Sequence, residues 1–72
     1  MDPSHARFAA NLRRHRKRLG LSQEALANLC DLHRTEISLL ERCKRSPRLD
    51  TIVSLARGLE LSSTCELLEG IA

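Results

Sequence analysis

The sequence predicts an all-α fold of five helices in a single domain, residues 1–72, and three observations support this prediction. Hydrophobic residues make up 42% of the chain, but Phe8 is its one aromatic residue, so leucine must supply most of the core. Glycine and proline are scarce, at three and two residues. Apolar residues recur three or four positions apart, as they do on one face of a helix. This combination favours helices over a β-sandwich or a barrel.

The first predicted helix is long and strongly basic. Asp2 or Ser4 can cap its start, and Gly20 ends it. Residues 13–18 include five cations, which repel one another unless water or an anion screens them. The apolar stripe of this helix consists of Phe8, Leu12 and Leu19.

Two short helices follow, separated by a tight turn. Ser22 can cap a helix from residue 23 to about residue 29, and another runs from about residue 33 to residue 41. Asp31 lies in the turn, where it tolerates a left-handed backbone better than most residues. Residues 22–41 thus have the helix-turn-helix pattern, in which the second helix can lie in the major groove of DNA.

The last two predicted helices carry most of the remaining apolar residues. Ser46 can cap the fourth helix, and Pro47 suits its first position. Ser63 and Glu66 have capping-box spacing, which predicts a fifth helix over about residues 62–70.

The charge distribution is asymmetric. Residues 1–48 hold eleven Lys and Arg against five Asp and Glu, a net charge of +6, whereas residues 49–72 have a net charge of −3. A basic part beside an acidic part favours a polyanionic partner such as nucleic acid.

The cysteines and histidines argue against metal and cofactor sites. Cys30, Cys43 and Cys65 are odd in number, form no CxxC pair and have no ligand spacing with the histidines. We therefore expect no metal or other cofactor. No signal or membrane-spanning run is present, so we expect a cytoplasmic protein. Cys30 and Cys65 lie on apolar stripes and are expected in the core, while a redox role for Cys43 stays open. The sequence contains no phosphate loop or catalytic constellation, so we do not expect an enzyme.

The chain resembles the Xre family of helix-turn-helix regulators, the lambda repressor and Cro class, over about residues 8–70. The motifs, in order, are Leu21-Ser22-Gln23-Glu24-x-Leu26-Ala27, Arg34-Thr35-x-Ile37-Ser38-x-x-Glu41 and Pro47-x-Leu49. Residues 32–38 further resemble the controller proteins of restriction–modification systems. The resemblance implies a lambda-repressor-like fold and a homodimer that regulates transcription from a pseudo-palindromic operator in double-stranded DNA. Such a regulator could also contact RNA polymerase.

Four residues depart from the family pattern. Glu36 stands where controller proteins usually have an aromatic residue, and Asp31 replaces a common glycine at the turn. Cys43 replaces the glycine that usually ends the third helix. Gly58 stands in place of a helix former, which should weaken the end of the fourth helix.

The exposed face of the third helix supplies the predicted base contacts. Arg34 can grip guanine through two hydrogen bonds, and Thr35 offers a hydroxyl and a methyl group. Glu36 could accept from the amino group of cytosine, and an exposed Leu39 could meet a thymine methyl group. The predicted base-contact residues are therefore Arg34, Thr35, Glu36, Ser38 and Leu39.

Contacts to the DNA backbone are expected from the flanking segments. Gln23 resembles the family glutamine that contacts a phosphate and braces the recognition helix. The other candidates are basic residues of the first helix and of the loop after the recognition helix: Arg14, Lys44, Arg45 and Arg48. Arg16 and Glu41 match positions that form a partly buried ion pair in the Xre family, and we expect the same pair here.

The C-terminal part has more large apolar residues than a small core can take, so we expect a dimer interface there. Its predicted residues are Leu61, Leu67, Leu68 and Ile71. A two-fold dimer would place two recognition helices about 34 Å apart, on successive major-groove faces. The alternative is a protein-binding module with the same fold, such as an antitoxin or an adaptor. Although residues 32–38 resemble controller proteins most, the motifs do not separate a controller from a phage-type repressor or a stand-alone regulator.

Overall fold

The computed structural model describes residues 3–71, which form four α-helices and one short 3₁₀ turn. The helices are α1 (Pro3–Arg18), α2 (Gln23–Cys30), α3 (Arg34–Glu41) and α4 (Leu49–Gly58), and the 3₁₀ turn spans Thr64–Glu66. The predicted all-α class is confirmed, and the first three helices lie where the sequence placed them, within one or two residues. No helix within residues 3–71 is long and apolar enough to cross a bilayer.

The expected fifth helix, over about residues 62–70, is wrong. Within this segment the backbone bonds are of the tighter 3₁₀ type, with the N–H of Leu67 donating to the carbonyl of Thr64 at 3.0 Å. Side chains of α1 also bind carbonyl oxygens of this segment. Asn11 donates to the carbonyl oxygens of Leu67 and Glu69, both at 2.9 Å, and His15 donates to that of Glu66 at 3.3 Å. Residues 62–71 are therefore held as an irregular C-terminal segment.

The caps around the helix-turn-helix agree with the sequence. The hydroxyl of Ser22 accepts from the backbone N–H of Ala25 at 3.0 Å, which satisfies a free donor at the start of α2. Asp31 ends α2 with a left-handed φ of 57°, as its place in the turn predicts. The prediction that Ser4 caps α1 is wrong, because this helix begins at Pro3 and contains Ser4, and the alternative cap, Asp2, lies outside the described residues.

The predicted start of α4 is wrong by about two residues. The helix begins at Leu49, and its N-cap is Arg48, which makes no side-chain capping bond. Ser46 does not cap α4, because its hydroxyl lies 3.0 Å from Nε2 of His5 and is hydrogen-bonded there.

The α3–α4 connection has an unusual backbone at Cys43. This residue has a φ of 60°, and the N–H of Lys44 bonds to the carbonyl of Leu39 at 2.8 Å. The family glycine normally supplies this left-handed conformation without a steric penalty. A residue with a Cβ is strained there by about 1–2 kcal/mol.

The core lies where the four helices meet, and Leu67 of the C-terminal segment closes it. Its large, fully buried side chains are Leu12, Leu26, Ile37, Leu40, Leu55, Leu59 and Leu67. Cys30 is buried as predicted, but Cys65 is exposed, so its expected place in the core is wrong. Leu19 is also exposed, since it lies beyond the last turn of α1.

Close packing between α4 and α2 explains the glycine at position 58, and the sequence alone did not reveal it. A Cβ at this position would overlap Sγ of Cys30 and lie 3.6 Å from Cβ of Leu29. Glycine therefore lets the end of α4 approach α2 closely. Burial raises the pKa of the Cys30 thiol, which packs against Gly58 in its neutral form.

Candidate nucleic-acid interface

The helix α3 presents an apolar face to the core and a polar face to solvent. Ile37 and Leu40 are fully buried, whereas Arg34 and Thr35 are exposed in its first turn. Glu36, Ser38 and Leu39 are half-buried. All five predicted base-contact residues thus lie on α3 outside the fully buried core, with Arg34 and Thr35 the most accessible.

The starts of α2 and α3 lie side by side. They border an open depression of about 450 Å³, which is lined by Arg16, Ser22, Gln23, Glu24 and Arg34. The first backbone N–H groups of α2 have no acceptor within their own helix, and Arg34 adds a positive charge to a lining that also includes the carboxylate of Glu24. A phosphate group of a DNA strand fits the chemistry of this depression.

A buried ion pair fixes α3 against the rest of the domain. Nε of Arg16 lies 2.7 Å from Oε2 of Glu41, and its Nη2 lies 2.9 Å from Oε1. Arg16 also donates to the carbonyl of Leu21 at 2.9 Å, just before α2. The expected pair of Arg16 and Glu41 is confirmed, and it joins α1 to the end of α3 in a bidentate geometry.

Two further side chains reach the same carboxylate. Nε2 of Gln23 lies 3.2 Å from Oε1 of Glu41, and Nε of Arg13 lies 3.5 Å from it. Gln23 therefore braces α3, as its resemblance to the family glutamine implies, while it lines the depression at the start of α2. Glu41 links three helices through these contacts, although its own side chain has no exposed area.

The electrostatics of this cluster favour the charged forms. Burial pushes the pKa of Glu41 upward, but the hydrogen bonds from Arg16 and Gln23 outweigh it and hold the pKa below its ordinary value. The hydrogen bond to Glu41 raises the pKa of Arg16 against the opposing effect of burial. Both groups are thus charged at neutral pH, and neither can lose its partner without cost.

The basic loop, residues 42–48, connects α3 to α4 at one end of the recognition helix. Lys44, Arg45 and Arg48 are exposed. Nε of Arg48 lies 3.7 Å from Oδ1 of Asp50. Both side chains are largely exposed, so this ion pair is weak. These three predicted backbone-contact residues are accessible to a polyanion.

Arg14 lies apart from the other backbone-contact candidates. Its Nη2 is 3.5 Å from Oε1 of Glu69, so the side chain faces the C-terminal segment. The structure thus brings together Gln23 with Arg34, and Lys44 with Arg45 and Arg48, but it does not bring Arg14 to either group.

The C-terminal apolar residues divide into core and surface. Leu67 is fully buried within the protomer and cannot take part in an interface, so it is removed from the predicted patch. Leu68 is 37% exposed, and Leu61 and Ile71 are half-buried against the core. The remaining candidate interface, Leu61, Leu68 and Ile71, is here named the C-terminal patch.

Sequence reasoning missed the role of Asn11. This side chain is 2% exposed, and both of its hydrogen bonds reach carbonyls of the C-terminal segment. Asn11 lies at helical spacing between Phe8 and His15, on the buried face of α1. An amide on an apolar stripe indicates a buried polar partner, and that signal was available.

Comparison with known proteins agrees with this geometry. The helix-turn-helix domain family matches residues 7–69. Control protein C.SmaI from Serratia marcescens is 44% identical over 55 residues, which cover 76% of this chain and 66% of that protein, just under two thirds of its length.

Two solved structures of restriction–modification controller proteins have the same fold. C.AhdI from Aeromonas hydrophila superposes with a TM-score of 0.84 at 38% identity, covering 88% of this chain and 94% of that one. C.Esp1396I, solved as a tetramer in complex with its natural 35-base-pair operator, superposes with a TM-score of 0.86 at 27% identity, covering 92% and 87%. The chain therefore belongs to the helix-turn-helix domain family and is similar to restriction–modification controller proteins.

Proposed function

We propose that the chain is a transcription regulator that binds a pseudo-palindromic operator in double-stranded DNA as a homodimer, in the manner of a controller protein. The observation that carries the proposal is the exposed first turn of α3, with Arg34 and Thr35 accessible on a helix that Glu41 fixes to α1 and α2. The cytoplasmic location expected from the sequence is part of this proposal, because a regulator acts where the chromosome lies.

In the proposed complex, α3 lies in the major groove. Arg34 makes two hydrogen bonds to a guanine, and Thr35 contacts the neighbouring base pair. The remaining base contacts come from half-buried side chains of α3, which extend less far from the helix than that of Arg34: Glu36, Ser38 and Leu39.

Backbone contacts flank α3 on both sides. The start of α2, with Gln23, takes one phosphate in the depression that Arg34 also lines. The basic loop takes others through Lys44, Arg45 and Arg48. The operator complex of C.Esp1396I supports this arrangement, because that protein shares the fold over most of this chain.

Salt dependence of DNA binding tests the proposal directly. A dimer that neutralises about 6–10 phosphates should lose about 10³–10⁵-fold in affinity between about 50 and 200 mM salt. The measurement is a titration of operator duplexes selected from a random pool, with an unselected duplex of equal length as control. Affinity that is independent of salt, or equal for both duplexes, would favour the protein-binding alternative.

Dimerisation through the C-terminal patch gives a second test. Leu68→Glu places a charge on the exposed leucine of this patch and should make the chain monomeric, since a buried carboxylate without a partner is strongly unfavourable. Sedimentation at concentrations on the order of tens of micromolar should show a dimer for the native chain and a monomer for the variant.

Leu29→Glu is the matched control, because Leu29 is a still more exposed leucine, at 61%, on α2. We expect this control to remain dimeric. A native chain that is monomeric at this concentration and binds operator at one-to-one stoichiometry would contradict the proposed dimer.

A further inference from the structure

Two hydrogen bonds join the first turns of α1 to the basic loop. Ser46 Oγ lies 3.0 Å from Nε2 of His5, and Sγ of Cys43 donates to the carbonyl oxygen of His5 at 3.7 Å. The partners are 41 and 38 residues apart in the chain, so these contacts belong to the tertiary fold. They connect a helix outside the helix-turn-helix with the basic loop, which carries four exposed cations.

The contact at Ser46 falls in the middle of the loop. Backbone hydrogen bonds hold the beginning of the loop on α3. The N–H of Cys43 donates to the carbonyl of Leu40, and the N–H of Lys44 donates to that of Leu39. At the other end, the carbonyl of Arg48 accepts from Ile52 in α4. His5 therefore supports the stretch between these ends, immediately beside Arg45.

We propose that His5 is a positioning residue for DNA binding, which holds the basic loop so that Lys44 and Arg45 face the phosphate backbone. This inference rests on the proposed function. Binding must order the loop and two long cationic side chains, and a loop that is already held loses less entropy when DNA arrives. The carbonyl of His5 would remain in any substitution, whereas the bond to Ser46 depends on the imidazole.

The test is a double-mutant cycle on a 35-base-pair duplex of arbitrary sequence, because phosphate contacts do not require the operator. The proteins are the native chain, His5→Ala, Ser46→Ala and the double variant. Each single variant should bind about three- to tenfold more weakly, since each dimer loses two copies of one hydrogen bond. The double variant should be no weaker than either single one, because both substitutions remove the same bond.

Two controls separate positioning from general destabilisation. His5→Gln, whose amide can donate to the Ser46 hydroxyl, should restore affinity to within about twofold of the native value. Ser54→Ala, on α4, should bind as the native chain does. Melting temperatures of the free single variants should fall by only a few degrees and by similar amounts, since each chain loses the same single hydrogen bond.

Native affinity in both single variants, or losses that add in the double variant, would overturn the inference while DNA binding itself stands. A native chain that fails to bind the duplex at low salt would overturn the proposed function, and this inference with it.

Discussion

Glu41→Gln should unfold the protein at a much lower temperature than the native chain. The substitution keeps the size of the side chain but removes its charge, and it leaves Arg16, whose side chain is 11% exposed, without a counter-ion. Breaking a buried pair in this way costs about 3–5 kcal/mol. A small domain has a total stability of only about 5 kcal/mol or a little more, so the melting temperature should fall by roughly 10 °C or more.

Thermal unfolding followed by circular dichroism at pH 7 measures this effect. Glu69→Gln is the matched control, because it removes the carboxylate from the exposed pair with Arg14, and such a pair contributes at most about 1 kcal/mol. Equal melting temperatures for Glu41→Gln and the native chain would refute the structural role of the pair.

Acid should remove the same stabilisation from the native chain. The pKa of Glu41 in the folded protein lies below its ordinary value, which is about 4.3 in an unfolded chain. The folded state therefore gains stability above that unfolded value and loses it as the pH falls through the folded pKa. The difference in melting temperature between the native chain and Glu41→Gln should narrow below about pH 4.

Arg34→Ala should produce the second large effect, on DNA recognition and not on folding. Arg34 is exposed, so the fold does not depend on it, but a bidentate contact to guanine is worth about 1–3 kcal/mol per site. A dimer loses two such contacts, and discrimination at the contacted base pair should relax. Binding to selected operator and to unselected duplexes, measured at one salt concentration, gives both quantities.

Arg45→Ala is the comparison for this experiment. Loss of the Arg45 side chain should weaken the binding of operator and of unselected DNA by a similar factor, because phosphate contacts do not distinguish between bases. If Arg34→Ala leaves the preference for operator intact, the assignment of Arg34 as the base-reading residue is wrong.

Local signals in the sequence predicted the helix-turn-helix well. The caps at Ser22 and Asp31 act within a few residues of the helix ends they define, and the apolar spacing of Ile37 and Leu40 shows which face of α3 is buried. The pairing of Arg16 with Glu41 spans 25 residues, and the family resemblance was needed to predict it.

The errors came from groups that have distant partners. The local sequence predicts that Ser46 caps α4, but its hydroxyl is hydrogen-bonded to the side chain of His5, which is distant in the sequence. The C-terminal segment has helical spacing, yet Asn11 and His15 of α1 take its carbonyls. Leu67 and Leu68 are adjacent and chemically identical, and only the packed structure shows which one fills the core.

The close approach at Gly58 has a consequence for how this sequence can change. Cys30 and Gly58 share one space between α2 and α4, so the volume at either position is limited by the volume at the other. An alanine at position 58 requires either that the Cys30 thiol moves away or that a smaller residue stands at position 30. The two positions are expected to vary together among related sequences, with small residues in both places or a glycine opposite a larger one.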